Sequence, residues 1–273
     1  MYSGSTLTSV SGRILGAHQK IDRCAEKQLR ELIGKNSPFP SIGQILHFEG
    51  RNGPDAIKRK SPYKDEPIHF FQPNDKQDVS IIHIIESHYN RLVDSLKQGD
   101  QVRGAFEAAW LAHAVVDGLT PAHHYPYAQK IKLLKDGGNL NSARSIKSKL
   151  LLPGTSTYKF LRNNWRFLGP KGLLSTHAVF ELGIAILIMP LRINLADFRE
   201  RELTVINSKN IASWYRMSAQ KVASHNMYTR FYSKGWTPSL VRAVKKDLFP
   251  EIVWTLTLIW YGAVKESGVL VQQ

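Results

Sequence analysis

Apolar residues recur along most of the chain at helical spacing, with few stretches that alternate as strands do. Ile14, Ala17, Ile21, Cys24, Ala25, Leu29 and Leu32 mark a first helix over about 15–33. Gly34 stops it, and SPFPSIG follows as a loop. Residues 50–76, rich in Gly, Pro, Asp and Lys, read as an ordered surface loop. Helical patterns resume over 78–96 and 104–116, the latter ended by Gly118 and Pro121, then over 173–188, 210–225 and 238–264. There is no internal repeat. The pattern predicts an all-α protein, one multi-helix domain over 1–273.

Two apolar runs test for membrane spans. The run 178–191 is interrupted by Glu181 and reaches only 14 residues, and 252–264 is shorter. A spanning helix needs about 20 apolar residues, so both read as buried core helices, with no transmembrane segment. Residues 1–17 have neither the basic start nor the apolar run of a signal peptide, which points to a cytoplasmic protein.

Composition narrows the chemistry. Apolar residues make up 42% of the 273 residues, which is enough for a sizeable core and excludes an intrinsically disordered chain. Cys24 is the single cysteine, so a disulfide scaffold and a thiolate zinc site are both excluded. Any metal must be held by His and carboxylates. The net charge of +15 favours anionic partners. That charge is unevenly spread: residues 130–171 hold ten Lys and Arg against Asp136 alone, and the rest of the chain has 27 basic and 21 acidic residues. The segment reads as a basic insertion over about 126–172.

The stretch WLAHAVVDGLTPAHHYPY carries the strongest candidate chemistry. His113 and Asp117 lie four apart on one helix face, and His123 follows the helix break. Zinc takes neutral imidazole nitrogen and carboxylate oxygen in near-tetrahedral geometry, so these three make a workable half-site. His177 and Glu181, in THAVFELG, form a second pair four apart. Glu181 in so apolar a helix is costly unless a metal or hydrogen bonds compensate. One such pair is commonly a helix-surface interaction; two pairs inside apolar helices, one followed by His-His, strengthen metal binding as the alternative to that reading. His124 competes with His123 for the ligand role, and spacing favours His123. His47, His83, His88 and His225 read as structural or surface residues. Met189, Trp214 and Tyr215, with Met217, read as core, and Lys245 and Lys246 as a solvated face.

HxxxDxxxxxH followed by HxxxE resembles the bacterial zinc-dependent phospholipases C, whose superfamily includes the fungal single-strand-specific nucleases. The resemblance extends upstream. IHFFQPND matches that family's HF-aromatic-x-P segment with His69, Asp55 lies 14 residues before it, and His18 in GAHQKID fits an early-helix His. The resemblance implies an all-helical fold with a cleft-bottom trinuclear zinc site. Asp55, His69, His113 and Asp117 would hold one zinc, and His123, His177 and Glu181 a second. Asp117 would bridge to a third, which His18 also binds. Two or three zinc ions would lower the pKa of bound water and clamp phosphate oxygens, with Asp55 as the catalytic residue that orients or deprotonates the water.

The sequence departs from the family in two places. The family completes its third zinc with the amino group and carbonyl of an N-terminal Trp, whereas here no Trp precedes Trp110 and Met1 lies 17 residues before His18. The gap between His123 and His177, which carries the basic insertion, spans 53 residues. The resemblance implies a phospholipase C that cleaves phospholipid to diacylglycerol and a phosphorylated head group. Its alternatives are a nuclease or nucleotidase of the same superfamily, with Trp165 and Phe167 stacking bases among Arg162 and Arg166, and a non-catalytic metal-binding adaptor. Relatives of this type are typically secreted. The insertion would meet an anionic membrane surface or nucleic acid.

Overall fold

The computed structural model describes residues 1, 16–35, 37–49, 53–55, 70–126, 156–193 and 200–269. His69, most of the 50–76 segment and insertion residues 127–155 lie outside the described residues.

Every regular element among the described residues is helical, so the all-α expectation holds. The helices are α1 Ala17–Ile33, α2 Ile42–His47, α3 Ser80–Gln98, α4 Gln101–Gly118, α5 Thr157–Leu168, α6 Leu173–Ile188, α7 Glu200–Val205, α8 Ile211–Ser224, α9 Met227–Lys234, α10 Pro238–Ala243 and α11 Phe249–Ser267. A 3-10 turn, Pro121–His124, follows α4. The first helix starts at Ala17 and ends where Gly34 takes φ 84°.

Helices α1, α3, α4 and α11 pack as the central bundle. α1 and α3 are amphipathic and bury Ile21, Ala25 and Leu29, and Ile85, Tyr89 and Leu92. Each such side chain stabilises the fold by about 1.5–3 kcal/mol. α4 is rich in alanine and buried almost all round, which lets its neighbours approach closely. Trp260 of α11 sits at the centre, with Nε1–H donating to the Ala108 carbonyl at 3.3 Å. One apolar core joins these helices to parts of α2, α6, α8, α9 and α10.

Several expectations need correction. The 37–43 loop is shorter than expected, because Ser41 and Gln44 form a reciprocal capping box that starts α2 at Ile42. The single helix expected over 238–264 is divided: a π-helical turn, Val244–Leu248, joins α10 to α11. Pro250, which has no N–H to donate to the preceding turn, directly follows that π turn, where the regular hydrogen-bond ladder is interrupted. Of the 214–217 group only Tyr215 is fully buried, while Met217 is 58% exposed. Phe167 packs against Leu173, so it offers no stacking platform beside Trp165. Thr157–Ile188 is apolar enough in composition to cross a membrane. However, the helix is interrupted between Leu168 and Leu173, leaving helices of 12 and 16 residues, each below the roughly 20 needed.

Two glycines let large side chains pack directly against α4 and α6. A Cβ at Gly118 would lie 1.7 Å from the Tyr215 hydroxyl, and one at Gly183 would lie 2.3 Å from the Trp236 ring. Gly118 directly follows Asp117, so Tyr215 fixes the depth of that helix end. Gly118→Ala should therefore destabilise the protein by about 1–3 kcal/mol or more, through overpacking. Gly43→Ala, where nothing lies within 4 Å, should be neutral or stabilising by up to about 1 kcal/mol. Denaturant unfolding of the two variants checks the contrast.

Candidate metal centre

Four separate elements deliver the candidate ligands. The first turn of α1 carries His18, the last turns of α4 carry His113 and Asp117, the 3-10 turn carries His123, and α6 carries His177 and Glu181. These six form two groups, His18–His113–Asp117 and His123–His177–Glu181. Within each group the possible ligand atoms lie within 4.8 Å of one another. Both groups can hold a metal ion. Asp55 joins the first, with Oδ1 3.8 Å from His113 Nε2.

Asp117 connects the two groups. Its Oδ2 lies 3.3 Å from His113 Nε2, and its Oδ1 lies 3.2 Å from His18 Nε2 and 3.7 Å from His123 Nδ1. On the far side, Glu181 Oε1 is 2.9 Å from His123 Nε2 and 3.0 Å from His177 Nε2. All but Asp55, His177 and Glu181 are buried. His69 lies outside the described residues. The segment after it is pinned at the site, because the Phe71 N–H donates to the His123 carbonyl at 3.1 Å. Phe70 stands at the rim, its ring 5.5 Å from that of His123 and 6.3 Å from that of His177.

Two participants were missed from the sequence. Glu49 is fully buried, and its Oε1 lies 2.9 Å from His113 Nδ1 and 3.3 Å from His18 Nδ1. One carboxylate thus holds the back of both imidazoles, whose rings stack at 4.4 Å. It turns both Nε2 atoms toward Asp117. His123 is fixed in the same way: its Nδ1–H donates to the Asp117 carbonyl at 3.0 Å, which leaves Nε2 toward Glu181. Metal-binding histidines need this kind of support on the second nitrogen. The available signal for Glu49 was a lone acid in ILHFEG, at the end of an apolar turn.

The second participant is Met1. Its amino nitrogen lies 2.5 Å from Asp117 Oδ1 and 3.4 Å from Glu181 Oε1, and its carbonyl oxygen lies 2.9 Å from His18 Nε2. A backbone amine and carbonyl therefore reach the site without a Trp. No side-chain pattern signals this, because the donor atoms belong to the backbone.

The site's electrostatics are those of anionic groups crowded in a dry space. Burial alone would depress the Met1 amine, yet Asp117 and Glu181 outweigh it and raise its pKa to about 10. Burial likewise opposes charge on His113, but Glu49 and Asp117 hold its pKa well above the usual value. Glu181 is pulled well below its usual range, against burial, by the Met1 amine and His177. His123 goes the other way: burial, reinforced by that amine, lowers it to about 4 and leaves a neutral imidazole at pH 7. Asp22 lies fully buried near Glu49, and burial and that neighbour raise its pKa well above the usual range. Ionised carboxylates in such a space require compensating positive charge. The donor set, imidazole nitrogen and carboxylate oxygen with the second nitrogens of His18, His113 and His123 already satisfied, suits a borderline cation such as zinc.

The remaining described histidines are structural or surface residues. His124 Nε2–H donates to the Gly118 carbonyl at 2.8 Å, away from the cluster. His88 pairs with Glu107, His83 with Glu86 on the surface, and His47 packs edge-on to Phe48. His225 lies 4.0 Å from Asp247. Compared with protein-family models, curated proteins and solved structures, the chain matches none of them.

Glu49→Gln should weaken metal binding about 10- to 100-fold, with the helical circular dichroism retained. Chelator competition measures the affinity. The pH dependence of the chelated protein follows from His123 and His124, both lowered by burial to about 4. Each folded pKa lies below the ordinary 6.5, so the unfolded chain takes up those protons first as pH falls. That stability is complete above pH 6.5 and is lost on the way to about 4, at about 3 kcal/mol for each. His113 is protonated throughout in the folded state and gains its proton in the unfolded chain near pH 6.5, so it opposes the fall only at the start of the range. Thermal melts with chelator at pH 7, 6, 5 and 4 should show the fall, and a flat profile would contradict it.

Proposed function

We propose that the protein is a zinc-dependent phosphodiester hydrolase of phospholipase C type, cleaving phospholipid to diacylglycerol and a phosphorylated head group. The carrying observation is the position of Asp117. One carboxylate reaches both metal-binding groups, as adjacent cations gripping a single phosphate require. His18 and Asp117, with the Met1 amine and carbonyl, fit one zinc. His113, Asp117 and Asp55, with His69, would serve a second, and His123, His177 and Glu181 a third.

Bound zinc would acidify a water and neutralise the phosphate oxygens. The chain's own residues supply the rest. Glu49 and the Asp117 carbonyl hold three imidazoles in the tautomer that presents Nε2 inward. Asp55, whose side chain is 23% exposed while His113 and Asp117 are at 3%, is the carboxylate that incoming water meets. It would take up the proton of the attacking water. Phe70, exposed beside His177, and the buried Tyr228 on the other side of that ring give the site an apolar flank, suited to a lipid ester more than to a sugar–phosphate chain. The HxxxE spacing favours the same choice.

The zinc-loaded protein should release phosphocholine from phosphatidylcholine and leave single-stranded DNA intact. Asp55→Asn should lower turnover by about 100-fold or more, with the fold retained by circular dichroism. Digestion of DNA without lipid turnover would instead select the nuclease, and failure on both substrates would select the adaptor.

A further inference from the structure

We propose that α5 is an interfacial helix that docks the protein on an anionic lipid bilayer, next to the metal centre. The stripe Tyr158, Leu161, Trp165 and Leu168 falls within about 80° of helical arc. These side chains are 71, 62, 69 and 40% exposed. Lys159, Arg162 and Arg166 occupy an adjoining arc of about 60°, and the Arg162 guanidinium lies 5.8 Å over the Tyr158 ring. The opposite face carries Asn163 and Phe167, both buried. The helix thus has three separate faces: one seated on the protein, one apolar and open, and one basic.

That division fits a bilayer surface. Leu161 and Leu168 suit the acyl boundary, Trp165 and Tyr158 the head-group level, and the basic strip the lipid phosphates. Charge supports an anionic partner, since no acidic residue lies between Asp136 and Glu181. Nucleic acid is the weaker match: exposed leucines offer nothing to phosphates or base edges, and Phe167, which would extend a stacking surface, is buried.

The placement gives the helix a purpose. Phe167 and Leu173 pack with Tyr125, whose ring lies 5.2 Å from that of Tyr228, and Tyr228 lies 6.2 Å from His177. Two aromatic side chains, Tyr125 and Tyr228, therefore stand between the docking helix and a candidate metal ligand. A membrane held by α5 would bring lipid head groups to the mouth of the site. The docking itself needs no catalysis; its effect on turnover rests on the phospholipase reading.

The test uses the full chain loaded with zinc, and the double variant Leu161→Ser/Trp165→Ser, checked for an unchanged melting temperature. Sedimentation with vesicles of phosphatidylcholine, with and without 30% (about one lipid in three) phosphatidylglycerol, should show wild-type binding at least about tenfold stronger to the anionic vesicles. The variant should lose that binding about tenfold or more. It should still hydrolyse a short-chain phosphatidylcholine below its micelle concentration at the wild-type rate. Arg162→Gln/Arg166→Gln should weaken binding and reduce its salt dependence. Equal binding of variant and wild type overturns the proposal. So does a single-stranded oligonucleotide bound through the same side chains without vesicle binding, or a dimer that the double variant abolishes. Loss of vesicle binding in a protein that turns over no lipid leaves the docking standing and removes the phospholipase reading instead.

Discussion

The Asp117 carboxylate lies at the junction of two candidate ligand sets, with Oδ2 toward His113 and Oδ1 toward His18, His123 and the Met1 amine. Much of the rest serves to hold it there. Its backbone carbonyl orients His123, and the next residue is the glycine on which the Tyr215 hydroxyl rests. The helix bearing it is buried almost all round, so it has little freedom to tilt. Such a carboxylate is tolerable in a dry interior only with positive charge around it. The protein supplies one amine and several imidazoles, and metal would complete the balance.

Glu49 is the counterpart on the other side of the imidazoles. Placing a fully buried acid behind His18 and His113 is expensive in isolation. It becomes favourable when it fixes two ligands at once, because each imidazole then keeps Nε2 turned toward Asp117. The arrangement explains why the stacked histidines come from α1 and α4, helices far apart in sequence: the carboxylate between them is shared.

The helices were legible because burial follows periodicity. The first helix, α6 and α8 fall within two residues of their sequence limits, and the ligand pairs His113–Asp117 and His177–Glu181 lie on inward faces as their spacing implies. His123 faces the cluster and His124 does not for a local reason: the 3-10 turn sends one imidazole toward Glu181 and the other toward the Gly118 carbonyl. Short elements were not legible. α2 and α9 have six and eight residues, too few for a period to emerge, and the division of 238–264 depends on a π turn. Glu49 and Met1 were hidden for a different reason. Their roles come from tertiary approach, and neither a lone acid nor a backbone amine leaves a spacing to read.

Part of the basic surplus of the 130–171 segment falls on one helix face, that of α5. The central claim remains the metal centre, and metal content measures it most directly. Protein dialysed against zinc and then against metal-free buffer should retain two or three zinc ions per chain, and His177→Ala should retain fewer. A fully folded wild-type chain that retains none would contradict the account.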